Sequence, residues 1–233
     1  MHSQSRMIAT ISRSGAVVAR WAHNPKVVSS SLASATSKKR IKQLVLFFYL
    51  PLPPNKKTDM SQIELILSRH GETEENKLHI MQGQLPGHLS ELGKQQAKAL
   101  AETLDKEELD VIVCSDLARS YDTAMAVARQ KGLQPVATPL LREMDWGIYT
   151  GKVADEMDFT TLPESVETIE ALYKRAGDFV DFLKKEFPGK RILAIGHGGF
   201  NRAIVVQLEK LPPEKILSLP IMKNTACMRF TLP

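Results

Sequence analysis

Residues 62–76 read QIELILSRHGETEEN, an apolar run that is followed directly by a cluster of polar side chains. The apolar stretch from Ile63 to Leu67 predicts a short buried strand. A guanidinium and an imidazole, those of Arg69 and His70, then stand where this strand ends. In open α/β sheets the ligand crevice lies at the carboxyl ends of the strands, so this stretch predicts both a fold class and a site.

Strand-like and helix-like patterns alternate through the rest of the chain without an internal repeat, which indicates an α/β domain with a central, mainly parallel sheet. We therefore expect a three-layer α/β/α sandwich. Ser90 is the predicted N-cap of the first long helix, with Leu92, Ala97 and Leu100 on its buried face. Further strands are predicted at 111–114, 135–138, 191–196 and 226–231, and helices at 90–105, 117–130, 166–187 and from about 199 onward.

The charge is divided unevenly along the chain. Residues 1–59 hold ten Lys or Arg and one acidic residue, Asp59, and so carry +9, whereas residues 60–233 hold 21 basic and 25 acidic residues and carry −4. Arg6, Arg13 and Arg20 recur every seven positions, which would place them on one side of a helix. We expect residues 1–59 to be a disordered leader, made of an Arg-rich and Ser-rich transit peptide plus a linker, before a domain at 60–233.

The leader has other interpretations: a disordered basic tail, or upstream sequence that is never translated, since Met60 directly precedes the first core strand. A transit peptide predicts a mitochondrial or chloroplast location, and the alternatives predict the cytoplasm. The apolar run 44–50 is too short to span a bilayer. Because the body is mildly acidic, its composition predicts neither nucleic-acid nor membrane binding. Cys114 and Cys227 lack metal-ligand spacing, which suggests a reducing compartment without disulfides or a metal site.

Two more predicted strand ends carry residues suited to binding an anion. The sequence CSDLAR at 114–119 places Arg119 on the first turn of a helix, where the amide dipoles favour negative charge. The sequence GHGG at 196–199 places His197, flanked by glycines, at another helix start. The three strand ends are thus predicted to aim four side chains at one place: Arg69, His70, Arg119 and His197.

Such a cluster is electrostatically unfavourable in an empty pocket, because positive groups depress one another's protonation. A dianionic phosphoryl group relieves that cost. Arginines can neutralise its oxygens in the ground state and in the transition state, and a neutral imidazole can attack the phosphorus atom.

These motifs, with Leu141-Arg142-Glu143 between them, resemble the histidine phosphatase superfamily, also called the phosphoglycerate mutase-like family, over residues 62–231. The resemblance implies that His70 forms the phosphohistidine, that Glu143 protonates the leaving oxygen, and that neither a metal nor an organic cofactor takes part. The predicted phosphate and substrate contacts are Arg69, Asn76, Gln82, Gly83, Arg119, His197 and Gly198.

Several assignments leave alternatives. Asp145 could replace Glu143 as the proton donor, and Trp146, Tyr149 and Gln82 could shape the pocket or simply pack, with His88 and Lys152 weaker candidates. Relatives often have Gly-Gly-Glu-Ser before the long helix, where this chain has Leu-Pro-Glu-Ser at 162–165. Only 53 residues separate Glu143 from His197, so residues 152–161 must form most of any lid, which favours hydrolysis over mutase chemistry.

The leading hypothesis is a phosphatase acting on a small sugar phosphate or related metabolite, similar to the fructose-2,6-bisphosphatase and broad-specificity branches. A cofactor-dependent phosphoglycerate mutase is the first alternative, and a non-catalytic module that binds a phosphorylated ligand is the second. The oligomeric state is left open.

Overall fold

The computed structural model describes residues 6–11, 17–22, 62–157 and 161–233. Two strands, β1 (Arg6–Ile11) and β2 (Val17–Ala22), pair in antiparallel fashion in a sheet of their own. Arg6 and Arg20 therefore lie on strands and not on the predicted helix. The rest of the predicted leader falls on residues outside the described ones, so its transit peptide, its linker and the boundary at residue 59 stay predictions.

A mixed sheet of five strands forms the centre of the body, as the alternating pattern predicted. Its strands, in order across the sheet, are β5 (Pro135–Thr138), β4 (Val111–Ser115), β6 (Arg191–Gly196), β3 (Ile63–Arg69) and β7 (Cys227–Leu232). Strand β7 runs antiparallel to β3, and the other neighbours are parallel. Arg69 pairs with Gly196, and Cys114 pairs with Ile195, so three strands end at one edge of the sheet.

Helices cover both faces of this sheet. Side chains of strand β3 pack on both faces of the sheet. Leu65 and Leu67 belong to one apolar cluster with the helices at 169–186 and 198–208, whereas Ile66 belongs to another cluster with the helices at 91–103 and 118–131. The three-layer arrangement is thus confirmed. The helices are α1 (Glu74–Lys77), α2 (Glu91–Thr103), α3 (Ala118–Lys131), α4 (Ile169–Glu186) and α5 (Gly198–Leu208). None of the helices in the described part of the chain combines the length and the apolar composition needed to cross a bilayer.

Two details of the helices differ from the sequence prediction. Leu92 is 48% exposed, because the buried stripe of α2 passes through Gly93, Ala97 and Leu100. A Cβ added at Gly93 would lie 1.9 Å from the carbonyl oxygen of Glu72, so the glycine permits this close packing. Helix α4 begins three residues later than predicted, since Val166 is buried in the turn that precedes the helix.

Candidate active site

His70 follows β3 directly and is almost fully buried. Its Nδ1 lies 2.6 Å from the carbonyl oxygen of Gly71. Because a carbonyl oxygen can only accept a hydrogen bond, Nδ1 carries the proton and Nε2 keeps its lone pair. The carbonyl oxygen of His70 accepts a hydrogen bond from Asn224 Nδ2 at 3.0 Å, which fixes the main chain at this position.

His197 follows β6 and is the N-cap residue of α5. Its ring centroid lies 5.1 Å from that of His70, with the two planes 58° apart. Both ring nitrogens of His197 are buried and have no hydrogen-bond partner among the described residues. Asn201 joins the two strand ends, since its Oδ1 accepts from the His197 amide and its Nδ2 donates to the Ser68 carbonyl. The predicted meeting of the two imidazoles is confirmed.

The two predicted arginines lie beside these rings and are held by main-chain carbonyl groups. Arg69 Nη1 donates to the Met222 carbonyl at 2.8 Å. Arg119 is 1% exposed, and its Nη2 donates to the Gly83 carbonyl at 2.8 Å. Its Nη1 donates to the carbonyls of Leu85 and Pro86. The Nε atom of each arginine is buried without a partner among the described residues.

The pKa values of these groups follow from their burial and their mutual repulsion. Burial, and then the charges of Arg69 and Arg119, lower the pKa of His70 well below its usual value. The pKa of His197 is lowered by burial, by Arg119 and by His70. Burial lowers the pKa of Arg119 to about 10, so both guanidinium groups stay charged at neutral pH while both imidazoles stay neutral. Unpaired buried donors around one point require acceptors, and the oxygens of a phosphoryl group supply them.

Glu143 lies over the first turn of α5, next to His197. Its Oε1 accepts from the amides of Met144 and Phe200, each at 2.8 Å, and its Oε2 accepts from the Gly199 amide at 3.0 Å. Burial lowers the pKa of Arg69, and the Glu143 carboxylate partly offsets that effect, so this carboxylate is close to the Arg69 guanidinium group.

Asp145, the alternative proton donor, is exposed, and its Oδ1 accepts from the Gly147 amide within the local turn. Of these two carboxylates, Glu143 is therefore the one that faces the cluster.

The other predicted contacts surround the cluster in different ways. Asn76 is the third residue of α1, and its Oδ1 accepts from the amide of the N-cap residue Thr73 in a capping box, so the oxygen is already used. Gln82 is buried, with Nε2 donating to Thr73 Oγ1, and its Oε1 has no partner among the residues that the structure describes. Gly83 contributes its carbonyl to Arg119, and Gly198 begins α5, where an added Cβ would lie 3.4 Å from Arg69 Nε.

The weaker candidates contribute less to this cluster. Trp146 and Tyr149 pack against the hydrophobic core, which is the ordinary alternative that the sequence left open. His88 and Lys152 are exposed. The predicted lid, residues 152–161, includes 158–160, which lie outside the described residues. Its first part pairs with the segment before Gln82, through hydrogen bonds between Ala154 and His79 and between Lys152 and Met81.

No group of three or more His, Cys, Asp or Glu side chains that could hold a metal ion occurs in the part of the chain that the structure describes. The cluster therefore offers cations, imidazoles and the Glu143 carboxylate for chemistry on an anion, and the Glu75 carboxylate also acts to raise the pKa of Arg119. A model of the histidine phosphatase superfamily (branch 1) matches residues 65–232. The chain belongs to this superfamily.

Several named relatives within the histidine phosphatase superfamily are phosphatases, and another is named a 2,3-bisphosphoglycerate-dependent phosphoglycerate mutase. The chain is 34% identical over 160 residues to phosphoserine phosphatase 1 of Hydrogenobacter thermophilus, covering 63% of this chain and 76% of that protein. It is also 34% identical over 183 residues to glucosyl-3-phosphoglycerate phosphatase of Mycobacterium tuberculosis, covering 70% and 82%. A structure of the mycobacterial glucosyl-3-phosphoglycerate phosphatase with VO3 superposes with a TM-score of 0.65 at 32% identity, covering 71% of this chain and 90% of that one.

The Leu-Pro-Glu-Ser sequence at 162–165 lies in the turn before the long helix α4. The long helix α4 is capped by Thr168, whose Oγ1 accepts from the Ala171 amide, and Glu167 precedes it. Ser165, three residues earlier, instead accepts a hydrogen bond from the Ile148 amide through its Oγ.

Sequence reasoning missed several residues of this histidine phosphatase site. Asn201 and Asn224 hold the main chain at the two histidines, and Thr225, which adopts a positive φ of 56°, donates its amide to the Arg69 carbonyl. Asn224 lies in a loop more than a hundred residues after His70, with no local pattern that points to it. Asn201 had one usable signal, since it lies one helical turn after His197.

Proposed function

We propose that this chain hydrolyses phosphomonoesters of small metabolites by way of a phosphohistidine at His70. The observation that carries the proposal is the hydrogen bond from His70 Nδ1 to Gly71, which leaves Nε2 as a neutral nucleophile among unpaired cationic donors.

The reaction is proposed to take two steps. In the first, the phosphorus–oxygen bond breaks as a bond forms between Nε2 and phosphorus, and the leaving oxygen takes a proton from Glu143. In the second, Glu143 takes a proton from a water molecule that attacks the phosphorus atom, and the nitrogen–phosphorus bond breaks. Arg69, Arg119 and His197 are the proposed contacts to the non-bridging oxygens in both steps, with Asn76, Gln82, Gly83 and Gly198 around them.

The proposed substrate is a small sugar phosphate or a related phosphorylated metabolite. Phosphoserine and glucosyl-3-phosphoglycerate, which appear in the names of the relatives, both belong to this size class. The mildly acidic body supports a small ligand, because binding must depend on the local cluster of cations and not on a broad basic surface.

A phosphate-release screen of the full chain tests the proposal, with O-phosphoserine, 3-phosphoglycerate and glucose 6-phosphate as substrates and His70→Ala as the control. We expect release of inorganic phosphate by the unmodified protein and none above background by the variant. Conversion of 3-phosphoglycerate to 2-phosphoglycerate without phosphate release would identify a mutase instead. If the unmodified protein and the variant both release phosphate only at the background rate, a non-catalytic binding module would be favoured.

We also propose that residues 1–59 direct the protein to a mitochondrion or chloroplast, on the strength of their basic, acid-poor composition. N-terminal sequencing of the natural protein from fractionated cells tests this. A cytoplasmic protein that begins at Met60 would contradict it.

A further inference from the structure

The Arg175 side chain on α4 uses all of its hydrogen-bond donors inside the protein. Its Nη1 donates to the carbonyl oxygens of Leu140 at 3.2 Å and Arg142 at 2.7 Å. Its Nη2 donates to the Glu143 carbonyl at 3.3 Å and to Glu167 Oε2 at 2.8 Å. Its Nε donates to Glu167 Oε1 at 2.9 Å. A guanidinium group has five N–H bonds, and these contacts occupy them all.

The same guanidinium group also lies against a residue that binds the Glu143 carboxylate. Its central carbon lies 4.0 Å from the ring centroid of Phe200, a cation–π contact. The Phe200 amide donates to Glu143 Oε1 at 2.8 Å. Arg175 thus supports the main chain of Glu143 directly and the carboxylate of Glu143 through Phe200.

Glu167 extends this support beyond Glu143. Its Oε2 also accepts from the Asp145 amide at 3.0 Å, so the Arg175–Glu167 pair holds the chain both before and after Glu143. The Arg175 and Glu167 side chains are only 18% and 14% exposed. A bidentate pair with so little solvent exposure holds a fixed geometry, whereas an exposed pair would exchange with water.

We propose that Arg175, oriented by Glu167, is a positioning residue that places the Glu143 carboxyl group for proton transfer to the leaving oxygen. This inference rests on the proposed function. Arg175 has no donor left for a substrate, so its effect on the reaction must pass through the residues that it holds. Proton transfer requires hydrogen-bond distance between donor and acceptor, so a displaced carboxyl group transfers its proton poorly.

The leaving group distinguishes this role from general structural support. An alkyl phosphate releases an alkoxide, which needs the proton from Glu143 as the phosphorus–oxygen bond breaks. An aryl phosphate such as p-nitrophenyl phosphate releases a weakly basic phenolate, which leaves with little help from an acid. Loss of a correctly placed acid should therefore slow the alkyl ester selectively.

The experiment compares kcat/KM of full-chain variants on p-nitrophenyl phosphate and on the fastest of the three alkyl esters named above. The kcat/KM value reports the first transfer step, in which the leaving group departs. Arg175→Lys keeps the charge but loses the planar fork, Glu167→Gln weakens the orientation of Arg175, and Glu143→Gln removes the acid. Lys174→Met is the matched control, since this exposed neighbour on the same helix pairs only with Asp178 among the described residues.

We expect Arg175→Lys and Glu167→Gln to lower kcat/KM about 10- to 100-fold on the alkyl ester and no more than about threefold on the aryl ester. Lys174→Met should change neither value by as much as about twofold. The ratio of the two substrates is independent of the fraction of folded enzyme, so partial unfolding of a variant does not obscure the result. Combining Arg175→Lys with Glu143→Gln should add little to the loss caused by Glu143→Gln alone.

Equal losses on both esters, or additive losses in the double variant, would overturn the inference and leave the proposed function intact. If the unmodified protein hydrolyses none of the esters, the proposed function fails, and the positioning role fails with it.

Discussion

The two strand ends that carry His70 and His197 look alike in sequence but differ in the state of their imidazole rings. Each histidine follows a buried parallel strand, precedes a glycine, and has a lowered pKa because of burial and nearby arginines. The proton of His70 is fixed on Nδ1 by the Gly71 carbonyl, whereas both nitrogens of His197 lack partners among the described residues. One ring is therefore oriented before any ligand arrives, and the other depends on a ligand for its hydrogen bonds.

The surroundings of the two strand ends also differ. His197 begins an 11-residue helix whose first amides are bound by the Glu143 carboxylate, whereas His70 leads into a loop and the four-residue helix α1. Negative charge is thus placed at the start of the helix that follows His197. This difference fits a division of labour in which His70 attacks and His197 works with the acid.

The largest expected effect is on the covalent step. His70→Ala should lower kcat/KM by about 10⁴-fold or more and abolish the phosphoenzyme, while His197→Ala should lower it by about 10²- to 10³-fold and still form one. Acid quenching of the enzyme after incubation with a labelled substrate measures the phosphoenzyme directly. Label on residue 197 in the His70→Ala variant would reverse the roles assigned to the two rings.

The next largest expected effect is the dependence of folding stability on pH. Both histidines have folded-state pKa values below the usual value of 6.5, so in that range the unfolded chain binds more protons than the folded one. The stability that the two neutral histidines contribute is fully present above about pH 6.5. Below that, the free energy of unfolding should fall as pH decreases, by about 1.4 kcal/mol per pH unit for each histidine. Urea unfolding at pH values between about 7 and 5 measures this fall in the free energy of unfolding.

His197→Gln is the comparison for that experiment, because it removes one of the two titrating rings. The slope of unfolding free energy against pH should decrease by roughly the contribution of one proton. An unchanged slope would show that His197 does not stay neutral in the folded protein.

The smallest expected effect concerns the glycine that follows each of the two histidines, Gly71 and Gly198. A Cβ at Gly71 would lie 2.6 Å from the Gly93 carbonyl oxygen, which is part of a packed main chain. A Cβ at Gly198 would lie 2.9 Å from Cγ2 of Ile221, the end of a side chain that can rotate. We expect Gly71→Ala to cost about 2–3 kcal/mol of unfolding free energy and Gly198→Ala less than about 1 kcal/mol, by urea titration. A larger cost at Gly198 would contradict this difference.

The layers and the convergence of the site were predictable from local patterns. Strands Pro135–Thr138 and Arg191–Gly196 lie where they were predicted, because proline and glycine mark their ends. The meeting of Arg69, Arg119 and the two histidines followed from the rule that parallel strands end at one edge.

The supports of the site were not predictable in this way. Arg175 lies 32 positions after Glu143 on an amphipathic helix, where an arginine is usually solvated. His70 and Arg69 acquire their partners, Asn224 and Met222, from a loop whose path depends on the packing of β7 against β3. Such contacts depend on tertiary geometry, to which a local pattern is insensitive.

The position of β3 in the sheet bears on how the protein is made. Strand β3 is the first of the central sheet to be synthesised, yet it pairs with β6, where Glu64 meets Arg191, and with β7, where Glu64 meets Thr231. The backbone N–H and C=O groups along both edges of β3 therefore stay without their strand partners while more than a hundred further residues are translated. Long-range pairing of this kind slows folding and exposes the nascent chain to aggregation, so we expect yield to depend on chaperones during translation.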